Sequence, residues 1–245
     1  WSPASYLERI EPPSSDNFLG WLLREAGMEK VLIPNSAGIH FDLDTPTDYL
    51  ILAASGQGGP RARAALKAVH WPSERLAKAA RILQTDLPEV GLIGRVGTQI
   101  VDHFNRNLRV RLRVFSEERG MKALQREEEG KVVSLVGDMI DQLGPKAFFR
   151  TLESVCSAVF FDTRAVFANH GRRVSDWDRF QSDLGAVAKI HDPWVRSFTE
   201  AALECRIPVV LGGHSVVSGG LWILADQAID ARGGPRVSQG VRCPG

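Results

Sequence analysis

Residues 41–50 read Phe41-Asp42-Leu43-Asp44-Thr45-Pro46-Thr47-Asp48-Tyr49-Leu50. Asp42 and Asp44 stand two apart, so an extended backbone turns both carboxylates to one face. Paired hard oxygen donors of this kind suit Mg²⁺. Thr45 is a strong N-cap, and Pro46 is tolerated at the first helical position. Asp48 falls in the first turn, where a negative charge suits the helix dipole. The stretch therefore predicts a strand ending at 42–44 and a helix over 45–54.

Working outward, Phe18, Trp21, Leu22 and Ala26 follow helical spacing and Gly27 suits a C-terminus, which predicts a helix over 17–27. Val31-Leu32-Ile33-Pro34 reads as a short strand. This order of helix, strand, D-x-D and helix resembles the D-x-D-T-P-x-D-Y/L segment near the C-terminal end of the nucleotidyltransferase domain of the MobA-like family (molybdopterin and sugar nucleotidyltransferases). The likeness covers about residues 15–55. It implies an α/β, Rossmann-type fold for this part. It also implies Asp42 and Asp44 as catalytic, metal-facing carboxylates, Mg²⁺ as cofactor, and a nucleoside triphosphate and a phosphorylated or cofactor-like small-molecule acceptor as partners. The Gly-rich, Lys-bearing loop that holds the triphosphate in that family is absent from this sequence, and no mid-domain metal-binding Asp can be identified. Nucleotidyl transfer would then need a part encoded upstream of Trp1, or the fold now serves another purpose.

At 245 residues, with 44% hydrophobic and 24% charged residues, the composition is that of a soluble globular protein of one or two domains. A net charge of +1 gives no reason to expect nucleic acid or an anionic membrane as partner. Cys156, Cys205 and Cys243 are odd in number and widely spaced, which excludes a disulfide framework and a zinc ribbon; Cys156, in an apolar run, reads as a small core residue. No apolar run reaches the roughly 18 residues of a membrane span, so a cytoplasmic setting is the default expectation. The basic run at 106–113 alternates with Leu and Val and reads first as a strand with a solvated basic face.

Ser55-Gly56-Gln57-Gly58-Gly59-Pro60 is the clearest punctuation. It predicts a boundary between a partial nucleotidyltransferase-like segment (1–55) and a helix-rich α/β or α+β domain (60–231), with a flexible tail over 232–245. Helices are predicted over 61–69, 73–83, 98–108, 131–143, 146–155, 175–184, 192–203 and 216–229, and strands over 109–116, 157–164 and 207–212. Val90-Gly91-Leu92-Ile93-Gly94-Arg95-Val96-Gly97 carries glycines at three-residue spacing, which is not the dinucleotide fingerprint, and no strand is read into it.

A second constellation follows residue 157. Asp162 and Arg164 end one apolar run, and Gly212-Gly213-His214-Ser215 ends another. If the two strands are neighbours, these residues share the sheet edge at which open α/β sheets bind ligands. Gly212 and Gly213 would lead into a helix N-terminus able to hold a phosphate or carboxylate. Gly213-His214-Ser215 lacks the last glycine of the G-x-S-x-G elbow, since Val217 stands there, and no His follows Ser215; a serine hydrolase is excluded. Two other functions fit the residues: a noncatalytic ligand-binding or dimerisation protein, with a possible homo-oligomer, or a metal-dependent hydrolase in which Asp162, His191 and His214 converge.

Overall fold

The computed structural model describes residues 8, 10, 11, 19–29, 31, 33 and 35–233. In chain order the helices before the sheet are α1 (Leu19–Glu25), α2 (Ala37–His40), α3 (Pro46–Ser55), α4 (Pro60–Lys67) and α5 (Glu74–Ile82). The sheet region follows as β1 (Glu89–Gly94), α6 (Thr98–Asn107), β2 (Arg111–Ser116), α7 (Leu135–Leu143), α8 (Pro145–Val155), β3 (Ala158–Asp162), α9 (Arg164–Phe167), α10 (Asp176–Leu184), α11 (Pro193–Glu204), β4 (Val209–Gly212) and α12 (Gly219–Ala231). The four strands form one parallel sheet in the order β2-β1-β3-β4.

The architecture is α/β, with helices on both faces of the sheet. Strand residues alternate between two cores, as the two-residue period requires. Val90, Leu92, Ala158, Phe160 and Val210 meet α5, α6 and α12 on one side. Ile93, Val159, Phe161, Val209 and Leu211 meet α7, α8, α9 and α11 on the other, where Phe149, Phe161, Phe167 and Phe198 stack edge to face. β1 and β3 are buried almost throughout, which matches their continuous apolar runs. β2 is the exposed edge. Its arginines are bound locally: Arg111 pairs with Glu89 (3.0 Å) and Arg113 donates to the Val155 carbonyl (2.6 Å).

α3 forms where its local chemistry places it, shifted by one residue from expectation with Thr45 as its N-cap, and ends on Gly56 in the left-handed conformation (φ 64°). The backbone before it differs from expectation. Phe41 is extended, but residues 41–44 belong to no strand. The strand expected at 31–34 falls partly on residues outside the description; Val31 and Ile33 are exposed and in no regular element. On its outer side β4 meets α3, α5 and α10 rather than a fifth strand. Conversely, Glu89–Gly94, where no strand was expected, is a central strand. The helix expected over 131–143 begins only at Leu135, because the Ser134 hydroxyl accepts the Gly137 amide and fixes the cap. The tail expected to be flexible, and Cys243 within it, lie beyond the described residues. Cys156 is buried beside Gly91, as a small core residue would be.

The segment before residue 55 shares its core with the last helix. Ala37 and Ile51 belong to the same buried cluster as Leu221, Trp222, Ala225 and Ile229. The contact is so close that a Cβ on Gly219 would lie 2.0 Å from the His40 carbonyl oxygen. Gly219→Ala should therefore cost roughly 3 kcal/mol or more, the upper end of overpacking, and urea denaturation should show it as a lower midpoint. An unchanged midpoint would mean that residues 37–41 are not docked on α12.

Candidate ligand cleft

Strand order 2-1-3-4 means that the chain leaves β1 toward β2 on one side and returns to β3 on the other. The C-terminal ends of β1 and β3 therefore diverge at a topological switch point, where open α/β sheets bind ligands. A cleft of ≈ 900 Å³ lies at this edge. Arg95 follows β1, Arg119 and Lys122 follow β2, Arg164 follows β3, and Gly213 and His214 follow β4; Asp42, Asp44 and Thr45 come from the segment before α3.

Its floor is built on Asp162, which is fully buried. One oxygen accepts Arg95 Nε (2.6 Å) and the Arg95 amide (3.3 Å); the other accepts Arg95 Nη2 (3.1 Å) and the Arg164 amide (3.2 Å). Burial opposes the charge, but the Arg95 guanidinium, with help from His214 and Arg164, holds the carboxyl below its usual range. Gly94 permits the arrangement: at φ 111°, a Cβ there would sit 2.4 Å from the Asp162 carbonyl oxygen. Arg164 is engaged on the far side, in a buried bidentate pair with Asp183 (3.1 and 2.6 Å).

Residues 119–123, in the loop between β2 and α7, line the cleft's outer wall. Glu117 accepts the Ser134 hydroxyl and the Leu135 amide (2.9 Å), which ties the loop to the start of α7. Glu118 takes Arg126 in a fork at 2.9 and 2.8 Å. Met121 and Val132 are buried against Ala165 and Ala168. Arg119 and Lys122 are thus held at the rim on a docked loop, exposed and, among the described residues, without an ion-pair partner.

The expected site residues divide into two groups. Asp42 and Asp44 do face the cleft, with exposed carboxylates that make no ion pair among the described residues. Their backbones are fixed: the Ser215 hydroxyl donates to the Asp42 carbonyl (3.1 Å), and the Asp44 amide donates to Asp48 (3.0 Å). His214 faces the same cleft. Its ring keeps an accessible side, yet the surroundings crowd it enough that desolvation is the largest influence lowering its pKa. Arg95 and Arg119 add to that, while Asp162 and the Arg95 backbone oppose it. The balance shifts the ring toward its neutral form.

The second group has structural duties. Asp162 is saturated by Arg95, and Ser215 is used on Asp42. Gly212 and Gly213 make room for the N-terminal segment, since Cβ atoms there would lie 3.1 Å from Thr47 Cβ and 2.6 Å from Thr45 Cγ2. The helix expected from 216 starts at Gly219, after a four-residue 3₁₀ turn, His214–Val217. His191 stacks on Trp177 and lies 3.8 Å from Asp178, and it does not line the cleft. Among the described residues no group of three or more His, Cys, Asp or Glu side chains is placed to hold a metal ion. Asp42 and Asp44 fit Mg²⁺ only in the mode that uses one or two carboxylates and completes the shell with water and ligand phosphate.

Sequence reading missed Arg95, Arg119 and Lys122. The signal for Arg95 was present: a short apolar run after Pro88, ending in Gly94, is how a buried strand and its turn are written. Nothing local marks Arg119 or Lys122. No protein-family model, no curated protein and no solved structure matches the chain.

Two charges in and beside this site give measurable consequences. Asp48 is 1% exposed; one oxygen accepts the Thr45 amide (2.7 Å) and the Asp44 amide, and the other is buried without a partner among the described residues. Burial pushes its pKa up to about 6, against hydrogen bonds from Thr45 and Asp44 that pull it down. The folded state thus keeps this proton to higher pH than the unfolded chain, so its contribution to stability is full below about pH 4 and is lost as pH rises through 6. The loss is roughly 3 kcal/mol. Asp48→Asn keeps the acceptor and removes the charge, so its stability relative to the parent should rise by about that much between pH 4 and 7. Parallel pH–stability curves would refute the assignment. Arg95→Met should leave Asp162 buried and unpaired, costing roughly 3–5 kcal/mol in chemical denaturation, and the double variant Arg95→Met/Asp162→Leu should recover part of that loss.

Proposed function

We propose that this chain binds a phosphorylated, nucleotide-type ligand in the cleft at the C-terminal edge of the sheet. The observation that carries the reading is the convergence, at the switch point, of two cations on one wall and two carboxylates on the other, none of which makes an ion pair among the described residues. Arg119 and Lys122 supply charge for phosphate oxygens, and Arg95 flanks them from the floor. Asp42 and Asp44 can accept hydrogen bonds from sugar hydroxyls or hold a cation that bridges to the phosphates. The volume suits a ligand of nucleotide size.

A second reading is favoured by the Asp42–Asp44 pair itself, and it is the activity the family resemblance implies: Mg²⁺-dependent nucleotidyl transfer to a small acceptor. Asp42 and Asp44 would hold the metal, which would neutralise charge developing on the transferred phosphate. His214, whose pKa is lowered first by desolvation and then by Arg95 and Arg119, would take a proton from an acceptor hydroxyl. The metal-dependent hydrolase has less support, because Asp162 is saturated and His191 lies elsewhere.

Calorimetric titration with CTP and GTP, with and without Mg²⁺, separates these readings. Nucleotide should bind, and Arg119→Gln/Lys122→Gln should weaken it about tenfold or more. If Mg²⁺ strengthens binding and Asp42→Asn/Asp44→Asn removes that gain, the transfer reading stands. If binding ignores both metal and aspartates, it falls and the binding reading remains. A folded parent protein that binds neither nucleotide would overturn both.

A further inference from the structure

β4 is the other edge of the sheet. The Val159 amide donates to the Pro208 carbonyl (3.0 Å) and the Thr163 amide to the Gly212 carbonyl (3.1 Å). Backbone groups alternate along a strand, so 208, 210 and 212 turn toward β3, whereas Val209 and Leu211 turn outward. Side chains reach the two outward carbonyls: Thr47 Oγ1 donates to Leu211 (2.8 Å), and Arg75 Nη1 lies 3.5 Å from that of Val209. The sheet offers no acceptor to the outward amides of Val209 and Leu211, although both residues are buried.

A cavity of ≈ 340 Å³ opens along this edge. It shares no lining residue with the cleft above. Arg75 projects into it from α5, half-buried, and its guanidinium comes so close to Gly185 that a Cβ there would lie 3.2 Å from Nη2. Arg75 makes no ion pair among the described residues. The nearby Asp183 is taken by Arg164, and Arg206 by Glu153. Lys78, one turn along α5, also lines the cavity, while Leu76, Leu203 and Ile207 supply apolar wall. Among the described residues the half-buried Arg75 has donors left over beside the Val209 and Leu211 amides, and Glu74, the other carboxylate on the lining, makes no ion pair with it. Burial lowers the Arg75 pKa, partly offset by the Cys205 thiol beside it, which agrees with a charge lacking its counter-ion.

We propose that this cavity is a binding site for a small organic carboxylate. The carboxylate sits on the Arg75 fork, and the ligand's apolar body lies against Leu203 and Ile207, so that the adjoining Val209 and Leu211 amides sense it. An Arg fork matches a carboxylate in two parallel bonds. The apolar wall selects an organic acid over a bare inorganic anion. This site stands independently of the nucleotide reading.

The test is an NMR titration of the ¹⁵N-labelled full chain with benzoate, against chloride and inorganic phosphate at equal ionic strength. Benzoate should give saturable shifts at the Val209 and Leu211 amides. Arg75→Met should weaken them about tenfold, and the milder Lys78→Gln a few-fold. A dispersed spectrum certifies that each variant folds, and if Arg75→Met does not, Lys78→Gln decides. Non-saturating shifts, equal shifts with chloride, tighter binding of phosphate, or unchanged affinity in the folded variants would overturn the proposal.

Discussion

The buried carboxylate of Asp162 sets the geometry on which the cleft depends. It lies at the end of β3, inside the sheet edge, where an unpaired charge would be prohibitive. Four N–H donors surround it: three from Arg95 and one from Arg164. Because Arg95 belongs to the turn after β1, the pair closes the gap between the diverging strand ends. The same interaction directs Arg95 toward the cleft and turns the chain at Arg164 so that its guanidinium meets Asp183 on α10. A ligand entering the cleft therefore meets a floor whose own charges are already matched. What remains for it are the charges on the rim.

The second constraint comes from the small residues after β4. Gly212, Gly213, Gly219 and Gly220 all stand where a Cβ would strike residues 40–51. They read in sequence as a phosphate turn and a helix start, yet their work is to admit the segment that carries Asp42, Asp44 and Thr45. Thr47 on Leu211 and Ser215 on Asp42 fasten that segment with side chain-to-backbone bonds. Asp48 adds the last fixing point at the cost of a buried charge. The two aspartates are consequently brought to the cleft by tertiary packing rather than by strand pairing. That explains how a segment expected to end a strand can reach the sheet edge without being one.

What could be read in advance was whatever is encoded locally. The Thr-Pro-x-Asp start of α3, the helices over 175–184 and 192–203 and the apolar run of β3 depend on neighbours within a few residues. The parallel sheet edge shared by Asp162 and His214 followed from the two strand readings and is found as such. β1 escaped because Gly91 and Gly94 dilute its apolar pattern. Both glycines answer tertiary demands, Gly91 the Cys156 and Val159 side chains and Gly94 the Asp162 backbone. The Arg95–Asp162 pair joins residues 67 apart, and no periodicity announces it. Arg119 and Lys122 owe their position to a loop held by Glu117, Glu118 and Met121, which is again a long-range matter.

A common physical criterion connects the two ligand surfaces. In a nearly neutral chain most charges near the sheet find partners: Arg95 with Asp162, Arg164 with Asp183, Arg179 with Glu127, Arg126 with Glu118. These pairs are retained because breaking one leaves its mate desolvated and alone, which costs more than the pair contributes. Against that background, charges that line a concavity and stay unmatched stand out: Arg119, Lys122, Asp42 and Asp44 at one place, Arg75 and Lys78 at another. Exposed lysines elsewhere satisfy themselves with water and need no explanation. Inside a concavity the water supply shrinks and the balance shifts toward a ligand that brings the missing charge. On the proposals made above, the cleft ligand would carry phosphate at one end and hydroxyls or a cation at the other, and the ligand of the β4 cavity a single carboxylate on an apolar body. The same reasoning that makes Asp162 structural singles these residues out as candidates for ligand binding, since the difference lies in whether the described fold has already supplied the partner.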